Sequence, residues 1–454
     1  MAARMAGVPA LALLAGVACF ASTAGGGARA QTFDEALANA YRDNPRLLAA
    51  RAELRAVIEE VPEAKSGYRP QRVLTGRSTH NDVDSSVSAE KLDTQEVNLR
   101  ITQNLYMGGG TSAAVRSALS FVADQRALLL NTEQEVLLDA VTAYMNVLRD
   151  QRILEASAAN VERLEAQMDA TNTRRSVRDA TVTDVNQAEA RLAGARADFV
   201  QARANLQNSV ASYVQVIGEV PDLLEPAELP ETMPVDLEAA VAQAVENPAV
   251  QALQARVERA TADVDVAFAN LLPRLDVFGE ASYVDEPSIF TDWQREAQVG
   301  VTLTVPLYQR GAEYSRVRQT KEVLTQRRRQ LDDARRNAAE QTIRFYELYT
   351  AANDRVDLFA QQVEANRSAL EGVKEEALIG TRLTLDILDA ESELFLSQVE
   401  LQRARRDQIV AAYSLKAAIG ELTTAHLDLG VERYDAQAVL EDRENRWFGT
   451  GIDD

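Results

Sequence analysis

The chain has 454 residues, with 48 Lys and Arg against 69 Asp and Glu, two His and one Cys. A net charge of −21 excludes a nucleic-acid-binding surface, which needs cationic side chains to displace counterions from phosphate. The 21 Gly and 12 Pro are clustered, which favours long uninterrupted elements over the compact domains that length alone predicts.

Residues 1–30 read as a signal peptide, because Arg4 precedes an apolar stretch from Val8 to Ala21 that ends in small residues and Ala28-Arg29-Ala30. The stretch is too short to span a bilayer, so cleavage near Ala30 and export are expected. Cys19 has Gly16 three positions upstream, where a lipoprotein signal wants Leu, so no lipid anchor is expected. Cleavage removes Arg4 and Arg29, leaving 46 basic against 69 acidic residues, a net charge of −23. It also removes the only thiol, and with it disulfides, thiolate metal sites and cysteine nucleophiles.

Two similar stretches follow, 31–229 and 230–429. Asn44-Pro45, Pro70 and Gly76 match Asn247-Pro248, Pro273 and Gly279 at an offset of 203. Past that point Leu105-Tyr106, Tyr144, Asp184 and Ile217-Gly218 match Leu307-Tyr308, Tyr346, Asp386 and Ile419-Gly420 at an offset of 202. Co-linear matches of this kind mark an internal duplication.

Each half opens with an amphipathic helix, expected over 34–66 and 237–270 and stopped near a proline. A strand pair follows, at about 71–107 and about 274–309. Val97, Leu99, Ile101 and Leu105 alternate with polar residues, as do Val299, Val301, Leu303, Val305 and Leu307. Period two with one apolar face means a strand wet on one side only. Alternation fades over His80–Ala89 and Asp285–Asp292, which are taken as external loops.

After a Gly-bearing turn each half runs without Gly or Pro over 111–172 and 312–371, long enough as helix to reach about 90 Å. Breaks at 174–181 and 380–384 reverse the chain. The first returning helix carries Val185, Ala188, Leu192, Ala195, Phe199, Ala202 and Leu206 at alternating three and four spacings, a coiled-coil seam. The second carries Ile387, Ala390, Leu394, Leu401, Ala404 and Leu415, softened by Ser397 and Gln408. The long helical hairpins therefore cover about 111–217 and 312–419, and an acidic tail covers 430–454.

Four amphipathic strands cannot close a transmembrane barrel, because about eight is the smallest number seen. An open edge cannot face lipid, where its amides would lack partners. Either the strands form a soluble sheet or several chains share a barrel; the signal peptide and the apolar face favour sharing.

The duplicated order of helix, strand pair and long hairpin, with Asn-Pro opening each half, resembles the TolC family of outer-membrane efflux and type I secretion channels. Gly380-Thr381-Arg382-Leu383-Thr384-Leu385-Asp386-Ile387-Leu388-Asp389-Ala390 looks like that family's turn and returning-helix motif, echoed by Thr183-Asp184-Val185. The resemblance implies a mostly α fold with a transmembrane β part. Three copies would close a 12-stranded barrel in outer-membrane lipid, above a 12-helix periplasmic coiled-coil barrel, with the tail at an equatorial belt. It also implies a passive duct, not an enzyme and without cofactor, that meets a periplasmic adaptor (membrane fusion) protein and an inner-membrane pump of RND or ABC type.

The same resemblance assigns residues. Asp386 and Asp389 would line the narrowest aperture, although acids in a first helical turn also complement the helix dipole. Arg382 would latch onto a neighbouring hairpin at Thr183 and Asp184, or simply sit solvated at a helix end. The family's usual tyrosine is Ala377 here, so part of the latch is absent. Arg175, Arg178, Ala180, Ile379, Gly380 and Thr381, at the tips, would meet the adaptor; basic residues at a helix end also need no partner. His80 and His426 are too far apart to make a metal site, and no Gly-rich segment has a phosphate-loop pattern.

Rival readings are an adaptor, which should show one hairpin and a membrane anchor, a coiled coil without a pore, and an autonomous porin, which has no use for sixty-residue helices.

Overall fold

A computed structural model describes residues 31–84, 86 and 89–452. The expected signal peptide, with Cys19, lies outside the described residues. Among those described, no helix is long and apolar enough to cross a membrane.

The first half opens with α1 (Phe33–Asp43), α2 (Pro45–Ile58) and α3 (Glu60–Lys65), where one helix was expected over 34–66. Pro45 causes the first break, because proline suits a first helical turn and pushes the preceding residue out of helical conformation. Asn44 accordingly sits extended at φ −66, ψ 121. Its Oδ1 accepts the Arg46 N–H at 2.9 Å, capping α2, and its Nδ2 donates to the Val216 carbonyl at 2.8 Å.

The same device recurs in the second half, where α6 (Leu237–Gln243) gives way to α7 (Pro248–Ala269). Asn247 caps α7 through the Ala249 N–H at 2.8 Å and holds the Ala418 carbonyl at 2.8 Å. Each Asn-Pro thus starts one helix and fastens it to the end of another.

The strands β1 (Gln71–Asp84), β2 (Ala89–Met107), β3 (Arg274–Ser288) and β4 (Thr291–Thr304) form one antiparallel sheet in the order β1-β2-β3-β4. The β2–β3 ladder joins the two halves, and β1 and β4 are free edges. Register places Leu74 opposite Leu99, Leu99 opposite Ala281, and Ala281 opposite Ala297, with Gly279 opposite Val299 and Val277 opposite Val301. One face is therefore apolar and open, with Val299 85% exposed. The other carries Glu280, which accepts from Asn98 and Gln298 and faces Arg100 at 3.7 Å.

Two expectations about the strands need correction. β1 runs on to Asp84 and β3 to Ser288, so much of the stretches taken as loops is strand. Backbone pairing needs no apolar alternation, and a ladder wet on both faces loses the pattern without losing its bonds. β4 ends at Thr304 rather than continuing to 309, because Pro306 has no N–H to offer a ladder.

The helices α4 (Gly110–Ser176) and α8 (Ala312–Leu378) have 67 residues each, about 100 Å of rod. Both begin after a left-handed glycine, Gly109 at φ 80 and Gly311 at φ 81, where a Cβ would strain the turn. α5 (Val182–Ile217) and α9 (Thr384–Ala418) return along them. Val185, Ala188, Leu192, Ala195 and Ala202 are buried on α5, as are Ile387, Leu394, Leu401, Ala404 and Leu415 on α9. The two hairpins lie side by side, with α4 against α9.

The main core lies between sheet and tips. Phe33 meets Tyr144 edge-on at 5.2 Å and Tyr413 at 5.4 Å, joining α1 to both hairpins. Burial pushes the Tyr144 hydroxyl well above its ordinary pKa. It donates to the Glu225 carbonyl at 2.7 Å and the Gln31 carbonyl at 3.2 Å.

After α10 (Thr424–Leu427), the tail with α11 (Ala436–Arg443) packs on the first half. Lys65 pairs with Glu444 at 3.0 Å, the Tyr434 N–H donates to the Tyr41 hydroxyl at 3.0 Å, and Arg69 lies 4.6 Å from the Trp447 ring centre.

Candidate functional site

The residues singled out at the two breaks lie at the hairpin tips, the end of the molecule farthest from the sheet. Each tip is built the same way: a carbonyl in the last helical turn accepts a reaching-back N–H while one residue turns left-handed. At the first, the Asp179 N–H donates to Arg174 O at 2.8 Å, and at the second the Thr381 N–H donates to Glu376 O at 3.0 Å.

The left-handed residue is Gly380 at φ 79 in the second tip but Arg178 at φ 64 in the first. A side chain there costs roughly 1–2 kcal/mol relative to glycine. Arg175 and Thr381 are exposed beside these turns, and Ala180 is half-buried.

Beyond each turn the returning helix is capped differently. Thr181 Oγ1 accepts the Asp184 N–H at 3.2 Å, while Asp184 Oδ2 accepts the Thr181 N–H at 2.7 Å, a complete reciprocal cap. Those hydrogen bonds hold the Asp184 carboxyl below its usual pKa. In the second tip Leu383 stands where Thr181 does, so only half the device remains: Asp386 Oδ2 accepts the Leu383 N–H at 3.0 Å.

Arg382 does not reach Thr183 or Asp184 within the chain. Its Nε donates to Glu376 Oε2 at 2.7 Å, a bond that raises its pKa, and Thr183 is exposed one residue before the capping carboxylate. Ala377 is buried in the α8–α9 seam. Asp389, exposed, pairs with Arg191 Nη2 of α5 at 2.7 Å, so a carboxylate expected at the aperture joins one hairpin to the other within the chain.

The sequence reading missed three partners. Glu376 and Arg191 looked like ordinary exposed charges, and their only signal was opposite sign near a helix end. The third is Glu391, 2% exposed, with Lys374 Nζ at 2.7 Å and Arg163 Nε at 3.7 Å. It also missed the exposed apolar side chains around the turns, Val177, Leu378 and Leu383, which accompany Ile379 at 77% exposure.

The family model for "Outer membrane efflux protein" matches residues 33–219 and 241–421. The outer membrane efflux protein BepC of Brucella suis is 33% identical over 428 residues, 94% of this chain and 93% of that protein. The outer membrane protein TolC of Escherichia coli is 26% identical over 425 residues, covering 88% and 84%. Among solved structures CusC shares the fold, with a TM-score of 0.77 at 13% identity over 85% of this chain and 91% of that one.

Proposed function

Because the chain belongs to the outer membrane efflux protein family, channels of the TolC type, we propose that it is the outer-membrane exit duct of a tripartite efflux or type I secretion system. The observation that carries this reading is the pairing of two unfinished ends. At one, a four-stranded sheet has a free edge on each side and an open apolar face; at the other, hairpin tips with exposed apolar side chains carry Asp386 and Asp389.

A free strand edge in hydrocarbon leaves backbone groups unpaired at several kcal/mol each, so the sheet needs other strands beside β1 and β4. Three copies would supply twelve strands and close a barrel in outer-membrane lipid, with α4, α5, α8 and α9 of each copy forming a twelve-helix periplasmic tunnel. The wet face around Glu280 and Arg100 would line the lumen. Cargo passes passively, driven by an inner-membrane pump of RND or ABC type through an adaptor.

The tips supply the adaptor surface: Val177, Leu378, Ile379 and Leu383 offer apolar contact, framed by Arg175, Arg178, Ala180, Gly380 and Thr381. The test uses the missing thiol. A single cysteine at Ala180 or Ile379, crosslinked in living cells, is expected to capture an adaptor. Capture with an RND pump means small-molecule efflux, and with an ABC transporter, protein secretion. If both tips capture only their own neighbours, an autonomous channel is the better reading.

Arg382 acts as the latch by exchanging Glu376 for Thr183 and Asp184 of an adjoining hairpin when the tips draw together. Each such bond is half-exposed and therefore weak, so closure rests on three of them. Arg382→Ala should raise single-channel conductance by a small factor. An unaltered closed state would remove Arg382 from the gate.

A further inference from the structure

The hairpins are joined unequally along their length. Near the equatorial core they are welded by apolar packing, with Ile409 and Tyr413 of α9 buried against Tyr144 and Phe33. Just beyond, the contact turns polar: Arg406 Nε donates to Asn146 Oδ1 at 2.9 Å. Toward the tips the face of α4 that meets the second hairpin carries Ser157, Asn160 and Arg163, and Asn160 lines a groove with Ser392 and Phe395 of α9. Leu388 is the one α9 side chain in the apolar cluster of the first hairpin there.

Within this polar stretch lies an ion cluster around the buried Glu391. Glu391 receives Lys374 of its own hairpin at 2.7 Å, but Arg163 of the other hairpin stops at 3.7 Å. Glu391 Oε2, Arg163 Nε and Arg163 Nη2 are shielded from solvent and make no hydrogen bond, as are Ser157 Oγ and Asn160 Oδ1. Charges withdrawn from water without full pairing are expensive, and such a cluster contributes little to stability compared with apolar packing. It does make the seam sensitive to small relative movement, since an ion contact at 3.7 Å becomes a hydrogen bond or is lost with a shift of about an ångström.

We infer that the Arg163–Glu391 pair is a clasp setting how far the second hairpin swings from the first, which makes Glu391 a positioning residue for the aperture. The inference rests on the channel reading above. Glu391 follows Asp386 and Asp389 on one continuous helix, so displacement at the clasp is passed to both carboxylates. The core fixes one end of α9; toward the tips the clasp and the exposed Asp389–Arg191 pair are the charge contacts that tie α9 to the first hairpin, and of the two carboxylates only Glu391 is buried.

Two variants separate this from a merely structural role. Glu391→Gln keeps the acceptor for Lys374 but discharges the clasp, leaving the half-buried Arg163 without a counter-charge. It should raise open-state occupancy in planar bilayers about tenfold, with the assembly's heat resistance little changed. Arg163→Met combined with Glu391→Leu replaces the pair by apolar contact, leaves Lys374 free to swing into water, and should lower occupancy below wild type.

Opposite shifts in occupancy support the clasp, because a loss of stability alone moves both variants the same way. Wild-type conductance in both would overturn it. Should Glu391→Gln fail to assemble, the double variant decides alone: reduced opening supports the clasp and unchanged opening refutes it. A wild-type protein that conducts nothing would overturn the channel reading instead.

Discussion

A channel carrying Asp386→Ala and Asp389→Ala is expected to lose block by multivalent cations and its preference for cations. Three copies would crowd six carboxylates into one aperture, where fixed charge governs which ions enter. Each contact between a blocking cation and a carboxylate at about 4 Å gives on the order of 1 kcal/mol in a water-like medium. Losing two or three such contacts should weaken block about a hundredfold.

The structure separates the two residues. Asp386 also accepts the Leu383 N–H, so its truncation uncaps α9, and Asp386→Asn is the gentler control. Asp389 neutralises Arg191, so Asp389→Ala alone leaves a guanidinium at the aperture and should push selectivity toward anions. Reversal potentials across a salt gradient, with and without a trivalent blocker, measure both effects. Undiminished block in the double variant would take these aspartates out of the aperture.

Tyr144→Ala should cause the largest loss of stability, about 3–5 kcal/mol, as is usual when a buried aromatic is truncated. Tyr144 is fully enclosed, stacks edge-on with Phe33, and its hydroxyl lies within donating distance of the carbonyls of Glu225 and Gln31, contacts that its removal would abolish. These contacts join Gln31 and Phe33 at the start of the first half, the segment between the halves and both hairpins. Tyr144→Phe keeps the ring and loses only the hydroxyl, so it should cost about 0.5–1.5 kcal/mol. Thermal unfolding in detergent followed by circular dichroism tests the order. Equal midpoints for wild type and Tyr144→Ala would show that the joint between the hairpins lies elsewhere.

What the sequence by itself determined is whatever depends on a residue and its near neighbours. The alternation from Val97 to Leu105 marks a strand with one dry face, and that face is apolar in β2 and its partners. Asn44-Pro45 and Asn247-Pro248 mark chain breaks because proline constrains its predecessor and asparagine can cap. The three-and-four spacing from Val185 to Leu206 marks a seam that α5 buries against α4.

Tertiary structure alone decided where these local patterns stop and which charges meet. β1 and β3 outlast their alternation because paired backbone amides hold a ladder whatever the side chains are. Asp389 and Arg191 lie 198 residues apart, and nothing in helical periodicity chooses a partner at that distance. Glu391 sits beside the seam residue Ala390 and reads as an ordinary flank charge. It is buried only because α4 of the other hairpin covers that flank, and a period of 3.6 says which side of a helix a residue occupies but not what will lie against it.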